Sequence, residues 1–307
     1  MPFLRLLESI RTPVLDKLGA LATLLGEETV FMVAGLVILW CFSKKWGFRF
    51  LMIGVAGTAL NQLLKAIFLI PRPWVLDPGF TIVEAAREGA SGYSFPSGHT
   101  QSAATVFGVL AVWAKRRWVT ALCVATVLLV GLSRMYLGVH TPLDVGVSLA
   151  TGVITVLGMV WLFDRAEARP HGVLLLGAGI AAFAAALLAY VLLAPVREAN
   201  VASFDADGQK AAWTLFGTCA GLWLALWADA RHTHFETRAV WWAQLLKLIA
   251  GLALVMAVRV GLKPVLAALF GGALFTHGIR YFVMAVTGGV LWPMTFRLWA
   301  RLGQKEA

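Results

Sequence analysis

From residue 29 onward the chain is a series of apolar runs, most of them close to the roughly 20 residues an α-helix needs to cross the hydrocarbon core of a bilayer. They cover residues 29–42, 50–70, 100–114, 118–137, 143–163, 172–194, 211–228 and 241–258. A last stretch, 265–296, is glycine-rich and interrupted by His277 and Arg280, and reads as one re-entrant piece plus one span. The pattern predicts an all-α polytopic membrane protein of about nine spans. Composition agrees: 14% of the residues are charged and 60% hydrophobic, against about 25% charged in soluble domains. Thirteen tryptophans suit a chain with many membrane interfaces.

The charges are unevenly placed. The net charge of +10 lies largely in short loops between the runs, so it sets topology and gives no nucleic-acid surface. Lys44, Lys45 and Arg49, then Lys115, Arg116 and Arg117, predict cytoplasmic turns; Arg165, Arg169, Arg231, Arg238, Arg297, Arg301 and Lys305 fall on that side by alternation. Loops 71–97, 133–142 and 195–210 then share the outer face, the last carrying Glu198, Asp205 and Asp207. Arg5, Glu8, Arg11, Asp16 and Lys17 interleave with leucines, which predicts an amphipathic interfacial helix over 1–28 and no cleavable leader. Cys41, Cys123 and Cys219 stand singly, in neither a disulfide nor a metal pattern.

Three polar groups interrupt the apolar pattern, each at an outer helix end. Lys65 precedes Arg72 by two helical turns, with Pro71 and Pro73 bracketing the arginine; the pair reads as an interfacial anchor or as an anion clamp. Pro96-Ser97-Gly98-His99 opens a helix. Serine and glycine there are ordinary capping residues, yet the same start offers free N–H groups and the positive dipole end to a phosphate, and His99 has no capping role. Ser133-Arg134 is followed by His140, Thr141-Pro142 and Asp144. Asp144 either caps its helix or reaches back to one nitrogen of His140, fixing the tautomer and leaving the other nitrogen as a nucleophile. Ionisable residues this deep in apolar sequence are costly and point to function.

Together, Lys65-x6-Arg72-Pro73, Pro96-Ser97-Gly98-His99 and Ser133-Arg134-x5-His140-x3-Asp144 resemble the three signature motifs of the type 2 phosphatidic acid phosphatase (PAP2) superfamily, including the glycine at 138. The resemblance covers roughly residues 29–163. It implies a PAP2-like helical bundle over 29–171, with additional transmembrane helices over 172–307 that gain no function from it. It further implies that His140 is a nucleophile forming a phosphohistidine, that Asp144 orients it, and that His99 protonates the leaving oxygen. Lys65, Arg72, Arg134, the Ser97 hydroxyl and the Gly98 amide would bind the phosphoryl oxygens. Three cations, a hydroxyl and a helix N-terminus can offset the charge of phosphoryl transfer without a metal or cofactor.

An outer interfacial site suits a membrane lipid phosphate. Polyprenyl (undecaprenyl) diphosphate comes first in a bacterial plasma membrane with the site facing outward; phosphatidate, phosphatidylglycerophosphate or a sphingoid phosphate comes next. A catalytically silent lipid transporter of the same fold is the rival class. Lys247, Arg259, Lys263 and Arg280 read as snorkelling anchors or as contacts to a second phosphate or lipid headgroup.

Overall fold

The computed structural model describes residues 1–194 and 202–302; Glu198 and Lys305 lie outside them. Among the described residues every regular element is helical. The principal helices are α1 (Pro2–Ser9), α2 (Pro13–Leu24), α3 (Glu28–Val37), α4 (Lys44–Phe68), α5 (Pro73–Leu76), α6 (Gly98–Ala114) and α7 (Arg117–Tyr136). Then follow α8 (Pro142–Glu167), α9 (Gly172–Leu193), α10 (Ala202–Ala228), α11 (Trp241–Phe270), α12 (Phe275–Val286) and α13 (Phe296–Arg301). Among the described residues seven helical stretches are long and apolar enough to cross a membrane, judged by length and composition. The broken pair α2–α3 and the 17-residue α6 account for the other apolar segments. Large residues such as Trp118, Leu122 and Leu128 on α7, and Ile154, Leu157 and Trp161 on α8, stay exposed. Their stripes match helices whose outer faces meet lipid.

Two compact units are present. One comprises Met1–Phe31, Ala56–Val160 and Tyr190–Gln209; the other comprises Met32–Val55, Trp161–Ala189 and Lys210–Ala307. All three signature motifs fall in the first. Its helix ends follow from local chemistry. Thr12 caps α2, its Oγ1 accepting from Leu15 N at 3.3 Å, with Pro13 at the first helical position. The N-terminal segment is therefore two helices where one was expected. Leu69 adopts a left-handed conformation (φ 52°) just beyond α4. Lys65 and Arg72 thus share no continuous helix face, contrary to the two-turn spacing.

Several boundaries differ from the hydropathy reading. Helix α4 begins at Lys44, so Lys44, Lys45 and Arg49 are helical. In the second unit they pair with Asp229 (2.8 Å), with Glu167 (2.5 Å), and with Asp164 (2.7 Å) together with Glu167 (2.8 Å), respectively. Helix α10 begins at Ala202, which places Asp205, Asp207 and Lys210 in helix and not in a loop. Helix α11 runs 30 residues through Pro264 to Gly271 and Gly272, so no re-entrant piece forms at 265. Beyond it α12 continues into a π-turn, Thr287–Leu291, and then α13. Lys247 does not snorkel. It is buried, its Nζ donating to Trp40 O (2.9 Å) and Thr237 O (3.0 Å) and lying 4.2 Å from the centre of the Phe296 ring. Arg280 instead pairs with His277 Nδ1 at 3.1 Å.

Candidate active site

The first unit gathers the C-terminal ends of α4 and α7 with the N-terminal ends of α6 and α8, joined by the segments 69–97 and 137–141. At α6, the Ser97 side chain caps the helix, its Oγ accepting from Thr100 N (3.4 Å) and Thr100 Oγ1 (2.9 Å). Both its acceptor positions are engaged, leaving the hydroxyl proton to donate. Gly98 is half-buried, and a Cβ there would lie 3.8 Å from Asn61 Oδ1, so the backbone is open to close approach. At α8, Thr141 and Asp144 form a reciprocal cap: Thr141 N donates to Asp144 Oδ2 (2.8 Å) and Asp144 N to Thr141 Oγ1 (3.2 Å).

The Asp144 carboxylate does more than cap. The same Oδ2 accepts from Ser94 Oγ at 2.6 Å and lies 3.4 Å from His140 Nδ1. Both readings of Asp144 therefore hold at once, with the histidine contact the longest of the set. On the other side of the ring, Arg72 Nη1 approaches His140 Nε2 at 2.8 Å. A guanidinium has no acceptor, so Nε2 carries the lone pair and Nδ1 the proton. The ring is fully buried. Burial, then the charges of Arg72, Arg134 and Lys65, hold His140 well below the ordinary histidine range.

The three expected phosphate-binding cations are all buried, and main-chain carbonyls take up their donors. Arg72 donates from Nε to Gly92 O (2.9 Å), from Nη2 to Ser91 O (2.6 Å) and from Nη1 to Val139 O (3.0 Å). Lys65 Nζ donates to Tyr93 O. Arg134 donates from Nη1 to Thr23 Oγ1 (2.9 Å) and from Nη2 to Gly89 O (3.3 Å), and its buried Nε has no partner among the described residues. Buried charge without such bonds would be prohibitive. The segment Gly89–Tyr93 thus supplies acceptors to Lys65, Arg72 and Arg134. His99 joins the group: a Cβ on Gly89 would stand 3.7 Å from its Nε2, and Arg134, Arg72 and Lys65 all act on it electrostatically.

All eight expected residues, Lys65, Arg72, Ser97, Gly98, His99, Arg134, His140 and Asp144, therefore belong to one unit and to the converging ends of its helices. Four contributors had no signal as site residues. Ser94 is a lone serine, Gly89–Tyr93 acts through carbonyls, Thr23 lies in the N-terminal segment, and Asp207 accepts from Gly92 N at 3.0 Å. Among the described residues no group of three or more His, Cys, Asp or Glu is placed to hold a metal ion.

The first unit thus brings helix ends together on two histidines, an aspartate and three buried cations, in a chain with several helices long and apolar enough to cross a membrane. Residues 45–168 match the PAP2 superfamily, and residues 213–305 match the PAP2 superfamily phosphatase transmembrane extension. The chain belongs to the PAP2 superfamily. It is similar to undecaprenyl-diphosphatase BcrC of Bacillus subtilis, 32% identical over 39% of this chain and 61% of that protein. It is also similar to phosphatidylglycerophosphatase B of the same organism, 30% identical over 47% of this chain and 73% of that one. A probable sphingosine-1-phosphate phosphatase of Dictyostelium discoideum is 25% identical over 52% of this chain and 42% of that protein. The chain thus spans less than two thirds of the BcrC and Dictyostelium relatives it matches.

Proposed function

We propose that the protein is an integral-membrane phosphatase that hydrolyses a lipid phosphate or diphosphate through a phosphohistidine, without a metal. The observation that carries this reading is His140, held between Asp144 at Nδ1 and Arg72 at Nε2 beside two further buried cations. Lys65, Arg72, Arg134, the Ser97 hydroxyl and the Gly98 amide hold the phosphoryl oxygens and offset the charge that spreads over them. His140 Nε2 attacks phosphorus as the bond to the leaving oxygen breaks, and His99 gives that oxygen its proton. The Nδ1–H bond to Asp144 stabilises the imidazolium. Water then attacks the phosphohistidine, His99 takes its proton, and phosphate leaves with His140 neutral again.

Undecaprenyl or another polyprenyl diphosphate is the preferred substrate, supported by similarity to an undecaprenyl-diphosphatase. A phosphatidylglycerophosphate-type monoester is the second reading, supported by similarity to phosphatidylglycerophosphatase B. In this reading residues 1–28 form an interfacial segment, 29–171 the catalytic core and 172–307 an additional transmembrane region. The host is a bacterial plasma membrane with the site facing outward.

The test is phosphate release by purified protein in detergent from polyprenyl diphosphate, phosphatidate, phosphatidylglycerophosphate and glucose 6-phosphate. We expect lipid substrates to be cleaved in excess chelator and His140→Ala to abolish release. Equal release by wild type and His140→Ala would remove the phosphohistidine. Complete loss in chelator, restored by magnesium, would replace the side-chain cations with a metal.

A further inference from the structure

The proposed phosphate cations are oriented by carbonyls, and something must orient the carbonyls. Residues 91, 92 and 93 present successive oxygens to Arg72 Nη2, Arg72 Nε and Lys65 Nζ. The flanks of this segment are tied by Val83 N to Leu137 O (3.1 Å) and Ser94 N to Ile70 O (2.8 Å). Its middle is tied by the start of α10. Asp207 Oδ2 accepts from Gly92 N at 3.0 Å, and Asp205 Oδ1 accepts from Tyr93 Oη at 2.8 Å. Gly92 sits at φ 64°, and the 91–92 peptide is bonded on both sides: its N–H donates to Asp207 and its carbonyl, Ser91 O, accepts from Arg72 Nη2. Neither carboxylate lies within the matched region 45–168.

We propose that Asp207, with Asp205, is a positioning residue for the phosphate site: it fixes the Ser91–Tyr93 carbonyls and through them the aim of Arg72 and Lys65. This rests on the phosphatase reading and gives the chain beyond the signature motifs a part in it. Catalysis of phosphoryl transfer depends on placement, so releasing this segment should weaken anion binding more than it weakens the fold. An asparagine keeps an oxygen that accepts from Gly92 N–H while removing the charge, whereas alanine removes both.

The experiment uses the full chain in detergent, with Asp207→Ala, Asp207→Asn and the milder Tyr93→Phe, which removes the hydroxyl that bonds Asp205. Lipid-phosphate KM and kcat, orthovanadate affinity by calorimetry, and the thermal midpoint are read for each. We expect Asp207→Ala to raise KM and weaken vanadate binding by roughly tenfold. Asp207→Asn should recover most of the loss, Tyr93→Phe should move the same constants less far, and the midpoints should change little. Unchanged KM and vanadate affinity in both Asp207→Ala and Tyr93→Phe overturns the proposal. So does an Asp207→Asn variant as impaired as Asp207→Ala, because charge and not positioning would then be acting. A wild type that cleaves no lipid phosphate, yet binds vanadate more weakly after Asp207→Ala, sinks the phosphatase reading and leaves the positioning of an anion site standing.

Discussion

His140 is an imidazole with both nitrogens engaged, and the partners fix its chemistry. Arg72 Nη1 can only donate, so Nε2 stays unprotonated, while Asp144 receives the Nδ1 proton. Burial and the charges of Arg72, Arg134 and Lys65 push the ring's protonation well below the ordinary histidine range. Held neutral in this way, the proposed nucleophile should place the acid limb of kcat/KM, the limb set by its own protonation, below pH 6.5. The sign for stability follows. Between the lowered folded value and the ordinary one the unfolded chain binds more protons, so stability falls as pH drops through that window. A kcat/KM profile on purified enzyme checks the first statement; an acid limb above pH 6.5 would mean that the essential imidazole is not held as described. The side chains of this site were legible in the sequence because charge and imidazole stand out against apolar surroundings. Gly89, Ser91, Gly92 and Tyr93 were not, since they bind Arg134, Arg72 and Lys65 through carbonyls that every residue possesses.

The helix starts that build the site were legible where a cap marks them: Ser97 opens α6, and Thr141 with Asp144 opens α8. The start of α10 was not, because Asp-Ala-Asp-Gly reads as loop chemistry and only the tertiary bonds from Gly92 and Tyr93 give both aspartates a purpose there. The path of α11 through Pro264 was hidden for the converse reason, a local helix breaker overridden by the surrounding apolar helix. Helices α6 and α8 carry His99 and Asp144, and they meet closely at Gly152, where an added Cβ would stand 2.4 Å from the Ala104 Cβ. Close approach of membrane helices through small residues is a packing device, and a larger side chain must separate them. Gly152→Val should therefore cost about 1–3 kcal/mol of stability and lower activity by displacing together the helix ends that carry His99 and Asp144. Gly146→Ala, on the same helix with nothing within 4 Å of an added Cβ, is the control and should be neutral in both. Thermal midpoints and phosphate release on the two variants check this; an active, fully stable Gly152→Val would mean that the contact does not set the site.

Across the whole chain, sidedness is the property that decides which pool of lipid the proposed phosphatase would serve. Lys44, Lys45 and Arg49, counted as inner charges, are matched by Asp229, Glu167 and Asp164. These pairs do not undo the topological argument, because orientation follows the placement of Lys and Arg and not net charge. On that argument Arg116 and Arg117, at the start of α7, are expected inside, and Arg134 and His140, one span later, at the outer end. Glu84, in the segment leading to the cation-binding carbonyls, has a side chain 73% exposed, and Arg116 is exposed at the opposite end of the first unit. These two positions give a direct assay in a chain with Cys41, Cys123 and Cys219 replaced by alanine. A membrane-impermeant maleimide should label Glu84→Cys in intact spheroplasts and Arg116→Cys only after permeabilisation. The reversed pattern would put the site in the cytoplasm and exclude a role in dephosphorylating lipid carriers on the outer leaflet, while leaving the chemistry of His140 untouched.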